Sequence, residues 1–302
     1  MKRFLSIIVL SALSLSLMAQ SGSFSLPQKP DTLRILAVGN SFSDDGTEYL
    51  PSLLEAAGIH NVILARLYIG GCSLERHCKQ YESDGKDYQY YKSGSDNRWN
   101  VKMGTTITYG LEDEPWDIIT IQQASGYSGQ YETIGPWADR LIKIIRQTCS
   151  NPNATIVWHQ TWAYARNSNH QHFVFYDNDQ KTMYDAIQNC VDKVCAEQDI
   201  HTVIPCGPAV QIARGTSLNN IGEVQQDCKV CDLTRDGFHM SRQYGRYLVA
   251  CTWFEALIKP TLGKSVKGNS CTLMDTEHRI SAKDAKLCQK IAAKAVKEYA
   301  NK

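Results

Sequence analysis

The sequence predicts an α/β fold built on a parallel sheet, and three observations carry that prediction. Five short apolar runs alternate with stretches of helical period. The runs are nearly continuous in their apolar character, as strands covered on both faces are. Residues able to do chemistry sit just beyond the ends of those runs, which is where open parallel sheets bind ligands.

Taken in order, strand one is 33–38 and runs directly into Gly39-Asn40-Ser41. A helix is expected over 47–57, closed by Gly58 as a left-handed cap. Strand two is 62–68. Residues 72–113 are rich in Tyr, Ser, Asp and Gly and read as a long polar insertion between strands two and three, outside the core. Strand three is 117–122. The helix over 137–149 repeats apolar residues at Leu141, Ile144 and Ile145 and breaks at Asn151-Pro152. Strand four is 154–158. A long helix over 180–197 places Met183, Ile187, Val191 and Val194 on one face. Strand five is 201–204, stopped by Pro205. Helices over 242–258 and 282–299 complete the chain, the second capped by Ser281 with Asp284. Crossovers between parallel strands should be right-handed. No repeat or linker divides 20–302, which reads as one domain.

Residues 1–19 differ from the rest. Lys2 and Arg3 precede an apolar run from Phe4 to Met18, and Ala19 is small, as in a secretory signal peptide. The expected location is therefore secreted or periplasmic. No cysteine follows the cleavage point at once, so a lipoprotein anchor is not expected, nor is stable membrane insertion after cleavage. Removing 1–19 takes away Lys2 and Arg3 from the 32 basic residues and none of the 31 acidic ones, leaving 30 against 31, a balance with no electrostatic footprint for nucleic acid. All eleven cysteines lie beyond the leader. Cys228 and Cys231 form a CxxC without a partner motif at zinc spacing, so no metal site is assigned and local disulfides or buried thiols are expected.

The chemistry-bearing residues fall into three groups. Ser41 lies where strand one turns into a helix, so its hydroxyl projects from the rim of the sheet; a serine there also serves as a helix cap, a task open to Ser43 or Asp45. A serine needs a base. Asp236-Gly237-Phe238-His239 supplies an imidazole and a carboxylate three residues apart, the carboxylate fixing the ring tautomer. His159, beyond strand four, is the reserve base. Acyl transfer also needs oxyanion donors. The backbone N–H groups of Ser41 and Gly71 are two candidates, and a side-chain amide of Gln122 or Gln123 is the third. Strand alternation lets only one of the two point inward, with Gln123 preferred.

These blocks resemble the SGNH (GDSL-type) hydrolases over roughly residues 33–258, and the chain overall is similar to the DUF4886 branch. The usual Gly-Asp-Ser block is here Gly39-Asn40-Ser41, the second-block glycine matches Gly71, and Asp-x-x-His matches Asp236 and His239. The third block departs: Gln122-Gln123-Ala124-Ser125 replaces Gly-x-Asn-Asp. The resemblance implies a three-layer α/β/α sandwich of the flavodoxin-like kind and ester hydrolysis through an acyl-enzyme, with no cofactor. The expected function is thus a secreted serine esterase acting on a small-molecule or glycan ester. Tyr127, Trp162, Tyr164 and His159 near the rim add the finer expectation of a carbohydrate O-acetylesterase. A non-catalytic glycan-binding protein on the same fold and a lipase or lysophospholipase are the alternatives.

Overall fold

The five apolar runs form the parallel part of a larger sheet. The strands are β1 (Leu33–Gly39), β2 (Val62–Tyr68), β3 (Tyr88–Ser93), β4 (Asn100–Thr105), β5 (Ile118–Ile121), β6 (Thr155–Gln160) and β7 (Val203–Pro205). They are ordered β4-β3-β2-β1-β5-β6-β7 in the computed structural model, which describes residues 25–220 and 232–302. The leader at 1–19 and the Cys228–Cys231 motif lie outside the described residues. Pairing is parallel from β2 through β1, β5 and β6 to β7, and antiparallel for β2–β3 and β3–β4. Counted among themselves, the parallel strands follow the flavodoxin-like order.

Seven strands instead of five is a correction, and it comes from the 72–113 insertion. Its hairpin β3–β4 extends the sheet beyond β2, with Leu74, Tyr88, Tyr90, Ile107 and Leu111 buried. Strand β4 forms an edge and is exposed at five of its six positions, so it lacks the apolar signature of a covered strand.

The helices are α1 (Ser41–Thr47), α2 (Leu50–Ala56), α3 (Leu74–Glu82), α4 (Ile107–Glu112), α5 (Gly135–Thr148), α6 (Gln180–Glu197), α7 (Cys206–Arg214), α8 (Gly245–Trp253), α9 (Lys259–Leu262) and α10 (Ala282–Ala300). One π turn, Phe254–Ile258, joins α8 to α9. The step from β1 to β2 crosses the sheet in the opposite direction to β5, β6 and β7. Right-handed crossovers therefore set α1 and α2 on one face, with α5 and α6 on the other. Helix α8 packs against α1, α2, α7 and α10, whereas α3, α4 and α5 pack together. The winding of the chain reverses between β1 and β5, the switch point at whose carboxyl ends open parallel sheets form a ligand crevice, and Ser41 and Gln122 follow close after these two strands.

The helix expected over 47–57 is the shorter α2, and a separate helix, α1, precedes it. Gly58 is left-handed (φ +64°) and closes α2, and Ser281 caps α10 by accepting from Asp284 N at 3.0 Å. Nine described cysteines are free thiols, so the neighbours Cys72 and Cys78, and Cys190 and Cys195, are not bridged. Among the described residues, no helix is long and apolar enough to cross a membrane.

Candidate active site

Strand β1 delivers Ser41 to the crevice through a tightly packed turn. A Cβ at Gly39 would lie 2.6 Å from Ser43 Oγ and 3.2 Å from Gln122 Cδ, so only glycine fits. Asn40 then caps α1, its Oδ1 accepting from Phe42 N at 3.0 Å. Neither Ser43 nor Asp45 is the cap. Ser43 donates to Asn40 O (2.8 Å), and Asp45 binds arginines. With capping done by its neighbour, Ser41 is free for chemistry.

Ser41 Oγ lies 2.8 Å from His239 Nε2, and His239 Nδ1 lies 2.6 Å from Asp236 Oδ2. A carboxylate accepts only, so Nδ1 carries the proton and Nε2 offers its lone pair to the serine hydroxyl. The backbone N–H groups of Phe238 and His239 donate to Asp236 Oδ1 at 3.1 and 2.7 Å. Burial acts to raise the Asp236 pKa, but the hydrogen bonds from the His239 ring and backbone outweigh it and hold the carboxyl below its ordinary value. Gly237, at φ +92°, makes the bend that lets one tetrad present both groups.

Two devices seat this tetrad. Trp162 donates its indole N–H to Phe238 O (2.8 Å) and stacks on Phe42, the residue after Ser41, with ring centroids 4.3 Å apart. Asp45, wholly buried on α1, accepts from Met240 N (2.8 Å), Arg235 Nη1 (3.0 Å) and Arg246 Nε (2.6 Å). Arg235 also donates to Met240 O. Residues 235 and 240 bracket the tetrad, so one carboxylate fastens both of its ends to the helix that carries Ser41.

The oxyanion side departs from expectation at Gln123. Its Oε1 accepts from Leu74 N (3.0 Å) and Ala124 N (2.8 Å), while Nε2 donates to Thr133 O (2.7 Å) and Thr133 Oγ1 (3.2 Å). Every polar position of this amide is engaged in holding loops, so Gln123 has no donor for a substrate. Gln122 points the other way. Its Nε2 donates to Asn40 Oδ1 (2.9 Å), and its Oε1 lies 2.6 Å from His159 Nδ1. Asn40 Nδ2 donates to Cys72 O at 2.9 Å, tying the Gly71 turn to the turn that precedes Ser41. Gly71 is left-handed (φ +62°). This network fixes every orientation: Asn40 must donate to a carbonyl, Gln122 must donate to Asn40, and His159 must be the Nδ1–H tautomer.

His159 is therefore neither reserve base nor substrate contact. Strand β6 runs two residues further than expected and carries His159 inside it, wholly buried; desolvation pushes its pKa down to about 3. Trp162 and Tyr164 are buried as well, because 161–165 runs beneath its neighbours. Gln180 donates to Tyr164 O and Arg214 to Ala163 O, both at 2.8 Å. Of the four rim residues expected to touch substrate, Tyr127 alone keeps partial exposure. Residues with no expected role in the site stand beside it instead: Phe238 against His239 (centroids 4.2 Å apart), His170 against Phe238 (4.7 Å), and Asp45, expected only as a possible helix cap, beneath the tetrad. Among the described residues, no three His, Cys, Asp or Glu side chains converge as metal ligands.

A family model described as "Domain of unknown function (DUF4886)" matches residues 34–295. The chain belongs to the DUF4886 family. A crystal structure of a DUF4886 protein from Bacteroides uniformis is 36% identical, covering 89% of this chain and 96% of that one with a TM-score of 0.78. Family membership thus accounts for nearly the whole described fold. An acetylxylan esterase from Geobacillus stearothermophilus is more distant, at 11% identity and a TM-score of 0.47, covering 77% of this chain and 95% of that one. That likeness is too remote to bear on activity. Comparison with curated proteins gives no match.

Proposed function

We propose that this DUF4886 protein is a serine esterase of the SGNH type that cleaves carboxylic esters through an acyl-enzyme. The observation that carries the reading is the unbroken hydrogen-bonded line Ser41–His239–Asp236, with spacings of 2.8 and 2.6 Å, at the switch point of a parallel sheet. His239 Nε2 takes the Ser41 proton as Oγ attacks the ester carbonyl. Asp236 stabilises the imidazolium that results. The N–H groups of Ser41 and Gly71, with the second Nε2 hydrogen of Gln122, receive the developing oxyanion. His239 then protonates the departing alkoxide, and water, activated by the same ring, releases the acid and restores Ser41.

The finer reading is a carbohydrate O-acetylesterase that works outside the cytoplasm. The leader pattern of residues 1–19 supports export, and N-terminal sequencing of the mature protein tests it. A fluorophosphonate probe followed by peptide mapping tests the nucleophile without knowledge of the substrate. Labelling confined to Ser41, and acetate released from acetylated xylan by wild type but not by Ser41→Ala, are the expected results. An unlabelled Ser41 in folded protein, with glycan affinity but no turnover, would make it a binding protein instead. A strong preference for long-chain p-nitrophenyl esters would make it a lipase.

A further inference from the structure

We propose that Tyr127, His170, His172 and Phe175 form the subsite for the alcohol portion of the ester, and that this portion is a sugar ring. The inference rests on the esterase reading above. Because His239 must hand its proton to the departing oxygen, the alcohol portion lies on the imidazole side of Ser41. On that side a continuous row of rings begins. Phe238 packs on His239, His170 on Phe238, and His172 follows with its centroid 5.2 Å from that of His170. Phe175 stacks on His172 at 5.2 Å and 17°, and Tyr127 meets the same imidazole at 4.7 Å.

The row is built rather than incidental. A Cβ at Gly126 would sit 2.6 Å from His172 Cβ, so that glycine makes the room in which the imidazole lies. His172 N donates to His170 Nδ1 at 3.2 Å. The Tyr176 hydroxyl accepts from Gly129 N (3.0 Å) and donates to Gly126 O (2.9 Å), fastening the 171–176 turn to the 125–129 loop. The outer end nevertheless stays open to solvent, with Phe175 47% exposed.

Its chemistry selects the occupant. Ring faces suit the C–H faces of a pyranose, and imidazole and phenol edges offer hydrogen bonds to hydroxyls. No acidic or basic side chain other than imidazole belongs to the row, and burial with the neighbouring His172 and His239 holds the His170 pKa below its ordinary value. The wall is therefore suited to an uncharged, hydroxyl-bearing ring. An alkyl chain would leave its polar edges unused.

The test compares kcat/KM for acetylated xylotriose with kcat/KM for methyl acetate, whose alcohol is too small to reach the row. Wild type should favour the sugar ester. Phe175→Ala and His172→Ala should each lower the ratio of the two values about tenfold, the scale of one lost ring contact. Phe175→Trp, which keeps a stacking face, should restore it. A ratio unchanged in both alanine variants overturns the subsite, because a merely structural loss would depress both substrates alike. Wild type that cleaves methyl acetate but not acetylated xylotriose overturns the sugar assignment. Wild type that cleaves neither, with Ser41 unlabelled by the fluorophosphonate, removes the esterase reading itself.

Discussion

Replacing Asp45 by Asn should uncouple the helix that carries Ser41 from the loop that carries His239 without touching either proposed catalytic group. The carboxylate is fully buried and binds Met240 N, Arg235 and Arg246. An amide of the same shape can still accept one or two of those bonds, but it carries no charge and turns an NH2 group toward guanidinium donors. Removing one partner of a buried ion pair costs about 3–5 kcal/mol. Arg246 retains Asp44 at 3.0 Å, and Arg235 is 17% exposed and reaches some water, so the low end, about 3 kcal/mol, applies. Activity should fall further than stability accounts for. A displacement of the tetrad by about 1 Å costs on the order of a hundredfold in rate. Urea denaturation gives the stability loss, and the rate of fluorophosphonate labelling well below the unfolding transition gives the effect on Ser41. A variant within about 0.5 kcal/mol of wild type that labels within twofold would refute the coupling, since surface-like behaviour is what that margin describes.

Other perturbations probe separate parts of the site. Asn40→Asp places a carboxylate against the Cys72 carbonyl in a buried position, and should cost about 1–3 kcal/mol or more at neutral pH, with partial recovery in acid as the group protonates; denaturation at pH 7 and pH 4 measures both. Asp236→Asn should lower kcat roughly ten-thousandfold by releasing the wrong tautomer of His239, and a loss below tenfold would contradict the triad. The Asp236 pKa is depressed on folding, so its stabilisation is complete above the unfolded carboxylate value and is lost as pH falls through the folded one. The wild-type advantage over Asp236→Asn should accordingly hold above about pH 5 and shrink in stronger acid, read by denaturation across that range. His159 is the opposite case, a base kept neutral. Its contribution is present above the unfolded value near 6.5 and is lost as pH falls toward about 3, with a slope near 1.4 kcal/mol per pH unit that His159→Gln should abolish.

Legibility in the sequence followed the physics of burial. The parallel strands were readable because strands covered on both faces leave continuous apolar runs, as in Leu33–Gly39 and Ile118–Ile121. The β3–β4 hairpin was not, because an edge strand such as Asn100–Thr105 faces solvent and imposes no such pattern. Ser41, Asp236 and His239 were legible since a hydroxyl at a strand end and an Asp-x-x-His turn each carry a local constraint. Which glutamine faced Asn40 depended on Leu74, 49 residues from Gln123, and on the Thr133 loop, and alternation alone could not choose. Trp162 and Tyr164 looked like rim aromatics from their place after a strand, yet the loop dives under α6 and α7. Phe238, named only as part of the tetrad, is the first ring beside His239.

The two halves of the proposed reaction centre are 198 residues apart in the chain. During synthesis Ser41 emerges early, and the His239 ring it meets follows 198 residues later. A truncated or half-assembled polypeptide therefore holds an ordinary, inert alcohol. On the proposed mechanism, reactivity toward an electrophilic probe would double as a report that the polypeptide has closed on itself.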